Sequence, residues 1–184
     1  MTDTGTGQTR APVDCGEIDM RIAADGTWYH QGSPIGRKEL VRLFAGVLRR
    51  EADGGYWLVT PAEKARIQVD DAPFMGVELA HEGSGPAQTL RLRTNVDDWV
   101  VIGPDHPLRI VPGRTVSGPD VPGAQGSKPY VAIRPGLDAL IARPVYYELA
   151  GLAVEGIVAG QAAMGVWSMG VFFALGSSPG ERAE

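Results

Sequence analysis

The stretch TNVDDWVVIGPDHP, Thr94 to Pro107, gathers Asp97, Asp98, Asp105 and His106. Carboxylates with a histidine can hold a metal, act as a general acid and base, or simply shape turns. Hard cations take carboxylates at alternating positions with a fixed glycine, and zinc takes paired histidines or cysteines. Neither spacing is present, and His30, His81 and His106 are far apart in the chain. Acid–base pairs must flank a cleft, which no spacing in the chain reveals. Turn chemistry explains the residues more simply. Asn95, Asp97 and Asp98 make an Asx-rich turn after the strand TLRLRT (89–94), and Asp105-His106-Pro107 makes the next turn. The strand DWVVIG (98–103) separates them, so at most one turn joins any single site.

The cationic candidates suit an anionic ligand. Lys64 and Arg66 lie on the strand ARIQV and could hold a phosphate, or else decorate a solvated strand edge. Arg91 and Arg93 share one strand face. They could accept an anion bidentately or pair with Glu78 across a sheet. Arg37 and Arg143 stand at two helix starts, where positive charge adds to the helix dipole, or where arginines bond loop carbonyls. Trp57 and Trp167 read as core residues before stacking platforms. The basic helix carrying Arg37, Lys38, Arg42, Arg49 and Arg50 is diluted by Glu39 and Glu51, and reads as a solvated face. No GxSxG elbow, Walker loop, GxGxxG or HExxH occurs, so no cofactor or metal is expected.

Composition narrows the classes further. The chain has 184 residues, net charge −5 and 43 % hydrophobic residues. Such a balance supports a real core and argues against binding a nucleic-acid polymer. A lone cysteine, Cys15, excludes an internal disulfide and fits a reducing cytoplasm. The polar N-terminus has no apolar signal segment, and residues 1–16 read as a disordered tail. No charge falls between Glu155 and Glu181. The apolar run AAMGVWSMGVFFAL (162–175) is nevertheless short for a bilayer and broken by Gly165, Ser168 and Gly170, so it reads as a buried strand and no membrane span is expected.

These residues must be positioned by a strand-rich chain with two helices. EIDMRIAADGTWYHQG reads as a hairpin turning at Asp25-Gly26. SPIGRKELVRLFAGVLRRE reads as a helix, with Ser33 as its cap, Pro34 in its first turn, and Gly54-Gly55 at its end. Strands follow at 56–60, 65–69, 74–80, 89–94, 98–103, 108–111 and 130–134, then a Pro/Gly/Ser loop at 112–129, then a helix over 144–155. The helical segments overlay without gaps. Ile35-Gly36-Arg37 falls on Ile141-Ala142-Arg143, and Leu43 falls on Leu149. An aromatic strand follows each, Tyr56–Val59 and Val166–Met169. A duplicated strand–helix–strand unit is the expectation.

The segments DGTWYHQGSPIGRKELVRLF, YWLVTPAEKARIQVDDAPF, RTNVDDWVVIGPDHPLRI, ARPVYYELAGLA and GVWSMGVFFALG together resemble the bacterial domain of unknown function 1285 family, across residues 25–176. The resemblance implies an α+β fold built by domain duplication, with a C-terminal half like a pleckstrin-homology barrel. It also implies a ligand site between the two domains, for a nucleotide-like molecule, and a signalling role. The expected organisation is a tail at 1–16, an N-terminal α+β domain at 17–73, a β-rich domain of mostly antiparallel sheets at 74–177, and a tail at 178–184. The expected function is a cytoplasmic, non-enzymatic sensor of a small anionic ligand, using Arg37, Lys64, Arg66, Arg93, Asn95, Asp97, His106, Arg143 and Trp167. The alternatives are a protein-interaction adaptor and, behind it, an enzyme using Asp97, Asp105 and His106.

Overall fold

Alternation of apolar and polar residues dominates the chain, and strands dominate the computed structural model, which describes residues 11–112 and 127–177. The chain divides into an N-terminal unit, residues 11–23 and 27–70, and a C-terminal unit, residues 24–26 and 71 onward.

The N-terminal unit is one six-stranded sheet and one helix. Its strands are β1 (Val13–Ile22), β2 (Trp28–His30), β3 (Ser33–Pro34), β4 (Leu48–Arg50), β5 (Tyr56–Val59) and β6 (Glu63–Val69), with α1 (Lys38–Val47) between β3 and β4. The order is β3-β2-β1-β6-β5-β4. Only β1 and β6 are parallel, and β1 bulges twice along that pairing. One face buries Met20, Ile22, Leu48, Leu58 and Ile67. Trp28 lies in the same core, with Phe44 of α1 stacked on it at 6.2 Å.

Three sequence readings are corrected here. Ser33 and Pro34 do not open a helix. They pair with His30 and Tyr29 around a two-residue turn, Gln31-Gly32, in which both residues have positive φ. That is the twist a tight hairpin demands. The helix starts at Lys38, capped by the Arg37 backbone with no side-chain cap. It ends at Val47, not at Gly54-Gly55, because the chain extends at Leu48 so that Arg49 and Arg50 can pair with Trp57 and Tyr56. At the other end, β1 begins at Val13, inside the segment read as a tail.

The C-terminal unit has a six-stranded and a three-stranded sheet. The larger contains β7 (Phe74–Glu82), β8 (Thr89–Thr94), β9 (Trp99–Ile102), β10 (Leu108–Val111), β11 (Lys128–Arg134) and β12 (Leu137–Ile141), in the order β10-β11-β12-β7-β8-β9. The smaller is the meander β13 (Val154–Val158), β14 (Gln161–Ser168) and β15 (Val171–Ser177), preceded by α2 (Arg143–Gly151). Ser168, fully buried, ties the two sheets together. Its Oγ accepts from the Leu90 amide at 2.9 Å and donates to the Ile102 carbonyl at 2.6 Å. Gln88 adds a bond from Nε2 to the Trp167 carbonyl.

The apolar run at 162–175 is therefore a hairpin, folded at Met169-Gly170 rather than continuous. No helix among the described residues is long and apolar enough to cross a membrane. The second helix stops at Gly151, because residues 154–158 are needed as a strand against β14. Of the 112–129 loop, residues 113–126 lie outside the described residues, as do 1–10 and 178–184. Lys128 and Pro129 already belong to β11.

The internal echo survives as topology. In each unit a helix leads into a three-stranded antiparallel meander, α1-β4-β5-β6 and α2-β13-β14-β15. Leu48 and Val154, which the overlay superposes, are the first residues of β4 and β13. The two tryptophans are not equivalent. Trp57 pairs with Arg49, whereas β13 has already ended its pairing with β14 at Gly165, two residues before Trp167.

Candidate functional site

The sequence candidates separate into a turn cluster, isolated groups and one convergent site. The turn cluster is structural. Asp97 has φ 63°, the left-handed conformation that lets a residue close the β8–β9 turn. Asn95 bridges strands. Its Oδ1 accepts from the Met75 amide at 3.0 Å and its Nδ2 donates to the Gly26 carbonyl at 3.2 Å. Gly26, with φ +81°, must lack a side chain here, since a Cβ would stand 2.6 Å from Met75 and 2.8 Å from Asn95. Arg93 is held by Glu78 at 2.6 Å and Asp97 at 2.6 Å, so the cross-sheet pairing displaces the anion-acceptor reading. Arg134 holds Asp98 at 2.8 Å.

His106 makes a 2.9 Å hydrogen bond between Nδ1 and the Ala132 carbonyl, which makes Nδ1 the protonated nitrogen. Asp97 and His106 therefore have structural partners and lie beyond opposite ends of β9. Asp105 is exposed. These residues are not brought together as an acid–base set. No group of three or more metal-ligating side chains occurs among the described residues. Trp167 packs edge-on against Phe172 at 5.3 Å.

Arg37 is exposed at the N-cap of α1, and Arg143 is exposed as the first residue of α2. They stand at the same place relative to their own helices, one position apart. They lie in different units.

Lys64 and Arg66 do converge. Their strand, β6, is not an edge but the interior neighbour of β1 and β5, which corrects the solvated-edge reading. Cross-strand pairing puts Trp57 opposite Arg66 and Val59 opposite Lys64, while β1 sets Glu17 beside Arg66 and Asp14 beside Lys64. Paired residues share a face, so these side chains form one layer. Trp57 lies beneath it, 8 % exposed. The Lys64 ammonium stands 4.4 Å from the Trp57 ring centroid and the Arg66 guanidinium 5.9 Å. Such cation–π contacts contribute about 0.5–1 kcal/mol at open sites.

Carboxylates surround these cations. Lys64 pairs with Glu51 at 3.1 Å and Asp14 at 3.8 Å. Arg66 meets Asp53 at a looser 3.6 Å, with both side chains about half exposed. Asp53 comes from the β4–β5 turn, where its Oδ1 accepts from the Gly55 amide at 2.8 Å. That amide bond above all, with Arg66 and the Trp57 N–H adding lesser pulls, holds the Asp53 carboxyl below the ordinary carboxylate range, although burial, second in size only to the amide bond, pulls it upward. The Trp57 N–H adds this attraction without meeting hydrogen-bond geometry to any acceptor among the described residues. A trough of about 390 Å³ opens alongside, lined by Glu17, Gly54, Gly55, Tyr56, Arg66 and Gln68 among others. Gln68 donates to Glu17 at 2.8 Å across it.

Sequence reasoning found Lys64 and Arg66, read Trp57 as core, and did not single out Asp53, Gly55, Glu17 or Gln68. Gly54-Gly55 read only as the end of a helix, and nothing local says which strand face the carboxylate of Asp53 beside it reaches.

Comparison with known proteins places these residues in a family. Residues 8–72 match the N-terminal domain of unknown function DUF1285, and residues 73–175 match the DUF1285 C-terminal domain of a protein of unknown function. A crystal structure of a DUF1285 family protein from Silicibacter pomeroyi DSS-3 is 41 % identical, with TM-score 0.77 over 96 % of this chain and 91 % of that one. Another, from Shewanella baltica OS155, is 25 % identical, with TM-score 0.51 over 73 % of this chain and 91 % of that one. No curated protein matches the chain.

Proposed function

We propose, for a chain that belongs to the DUF1285 family through both its halves, that it is a binding module for a small anionic molecule, acting as a cytoplasmic sensor without catalysis. The observation that carries this reading is the convergence of Lys64 and Arg66 over the nearly buried Trp57 beside an open trough. Convergent polar groups on an apolar floor are the ordinary anatomy of a small-ligand site. A nucleotide-like ligand suits it, since phosphate takes arginine and a base takes an aromatic neighbour. On this reading the β-rich C-terminal unit is the pleckstrin-homology-like element of a signalling protein.

The test is a thermal-shift screen against nucleotides, cyclic dinucleotides and phosphorylated metabolites. A ligand at 100 times its dissociation constant stabilises by about 2.7 kcal/mol, a rise of roughly 5–10 °C for a domain of this size. The rise is expected in the parent and lost in Lys64→Ala with Arg66→Ala. A flat panel overturns the reading.

A second reading, a protein-interaction adaptor, draws on the outer face of β8 and β9. Trp99 is 41 % exposed and Val101 38 %, with the Arg91 guanidinium 5.5 Å from the Trp99 ring. It predicts partner capture that Trp99→Ala abolishes and Arg66→Ala leaves intact.

A further inference from the structure

Beside Gly55 three polar atoms meet at one point. A Cβ built on Gly55 would stand 3.1 Å from Arg66 Nη2, 3.1 Å from Asp53 Oδ1 and 3.1 Å from Trp57 Nε1. Two of these are donors, and the third is an acceptor supplied by the chain's own turn. Trp57 is more than nine-tenths buried, and its N–H makes no hydrogen bond among the described residues. A buried donor left unpaired is costly, so the group gains from any acceptor that reaches it in line. Asp53 does not. It is committed to the Gly55 amide and meets Arg66 only at 3.6 Å. That ion pair is half exposed on both sides, the class that contributes little and exchanges readily. Lys64, by contrast, is held by two carboxylates.

We infer that this point is an oxyanion site, in which the Asp53 carboxylate stands as an internal competitor and a carboxylate or phosphate group of the ligand displaces it from Arg66. One ligand oxygen accepts from the Arg66 guanidinium and a second from Trp57 Nε1–H once the Asp53 carboxylate has moved aside. No bond is made or broken. This rests on the reading of the face as a ligand site and adds the chemical class of the group recognised and the residue that opposes it. Removing the competing charge strengthens binding. One like-charge repulsion at about 4 Å in a water-like medium is about 1 kcal/mol, which corresponds to a change of about fivefold.

The experiment uses the full chain and its four tryptophan indole N–H resonances. Trp57 is assigned by the signal lost in Trp57→Phe. Acetate and inorganic phosphate are titrated at constant ionic strength into the parent, Asp53→Asn and Arg66→Gln. The expected result is a saturable downfield movement of the Trp57 indole proton. Its midpoint is about fivefold lower in Asp53→Asn, and it is absent in Arg66→Gln. Asp53→Ser, which keeps an oxygen for the Gly55 amide, gives the same gain and covers the case of an Asn variant that misfolds. Equal midpoints in the parent and both Asp53 variants, or movement that survives Arg66→Gln, overturn the inference. If amides of Lys64 and Gln68 still shift saturably in those cases, the ligand reading of the face stands alone. If no resonance on this face moves, both fall.

Discussion

Asp71 and Arg93 both sit in ion pairs, and burial decides which matters. Asp71 is 5 % exposed, with Lys128 at 2.5 Å and the Tyr130 hydroxyl donating to it at 2.7 Å. Asp71→Ala leaves the Lys128 ammonium, itself 16 % exposed, without this partner, and is expected to destabilise by about 3 kcal/mol in denaturant melts. Arg93 and its carboxylates are a third to a half exposed. Arg93→Ala is expected to cost about 0.5–1 kcal/mol and to leave anion binding unchanged, although sequence placed it among the ligand contacts. Asp53 has a pH signature. Its folded pKa lies below the ordinary 3.8, so its contribution is complete above the unfolded value and fades as pH falls through the lower, folded one. Melting temperature followed from pH 5 to pH 2 should fall less steeply at the acid end in Asp53→Asn than in the parent.

Among the elements, the β13–β14–β15 meander depends on two glycines beneath one ring. A Cβ on Gly156 would stand 2.5 Å from Phe172, and one on Gly165 would strike both that ring and the Phe173 carbonyl oxygen. Both Gly→Ala changes are expected to destabilise by about 1–3 kcal/mol through overpacking. Phe172→Leu should recover part of the Gly156→Ala loss but little of the Gly165→Ala loss, because a backbone carbonyl cannot be trimmed. A double-mutant cycle read by chemical denaturation decides it. The helices contrast in the same way. Leu149 of α2 is fully buried, while Leu43 at the overlaid position of α1 is 64 % exposed. The repeated pattern makes two helices, but burial of the stripe belongs to the surroundings of each.

At the scale of the whole molecule, the families divide the chain at residues 72 and 73, yet Ala24–Gly26 of the first segment belongs to the C-terminal unit. A fragment starting at Asp71 therefore lacks the carbonyl that accepts from Asn95 Nδ2. Asn95→Ala is expected to cost about 1–3 kcal/mol in the full chain and measurably less in that fragment, compared by urea melts.

Periodicity was enough for most strands. TLRLRT and LRIV lie where alternation puts them, because a two-residue period with one buried face leaves a single register. The family was legible too, since its motifs are linear. What escaped was decided by partners distant in the chain. Ser33 and Pro34 carry good helix-start chemistry and became a strand because Tyr29 and His30 pair with them. The end of the second helix was lost because β14, still ahead in the chain, claims 154–158. Asp97 and His106, by contrast, were separable in the sequence, because the strand between them carries its two ends apart. The site around Trp57 needed β1, β4, β5 and β6 to be laid side by side before Glu17, Asp53 and Gln68 could join Lys64 and Arg66. Local patterns determine which segments extend and which face is apolar. Only the sheet, through hydrogen bonds between remote strands, decides which charges meet.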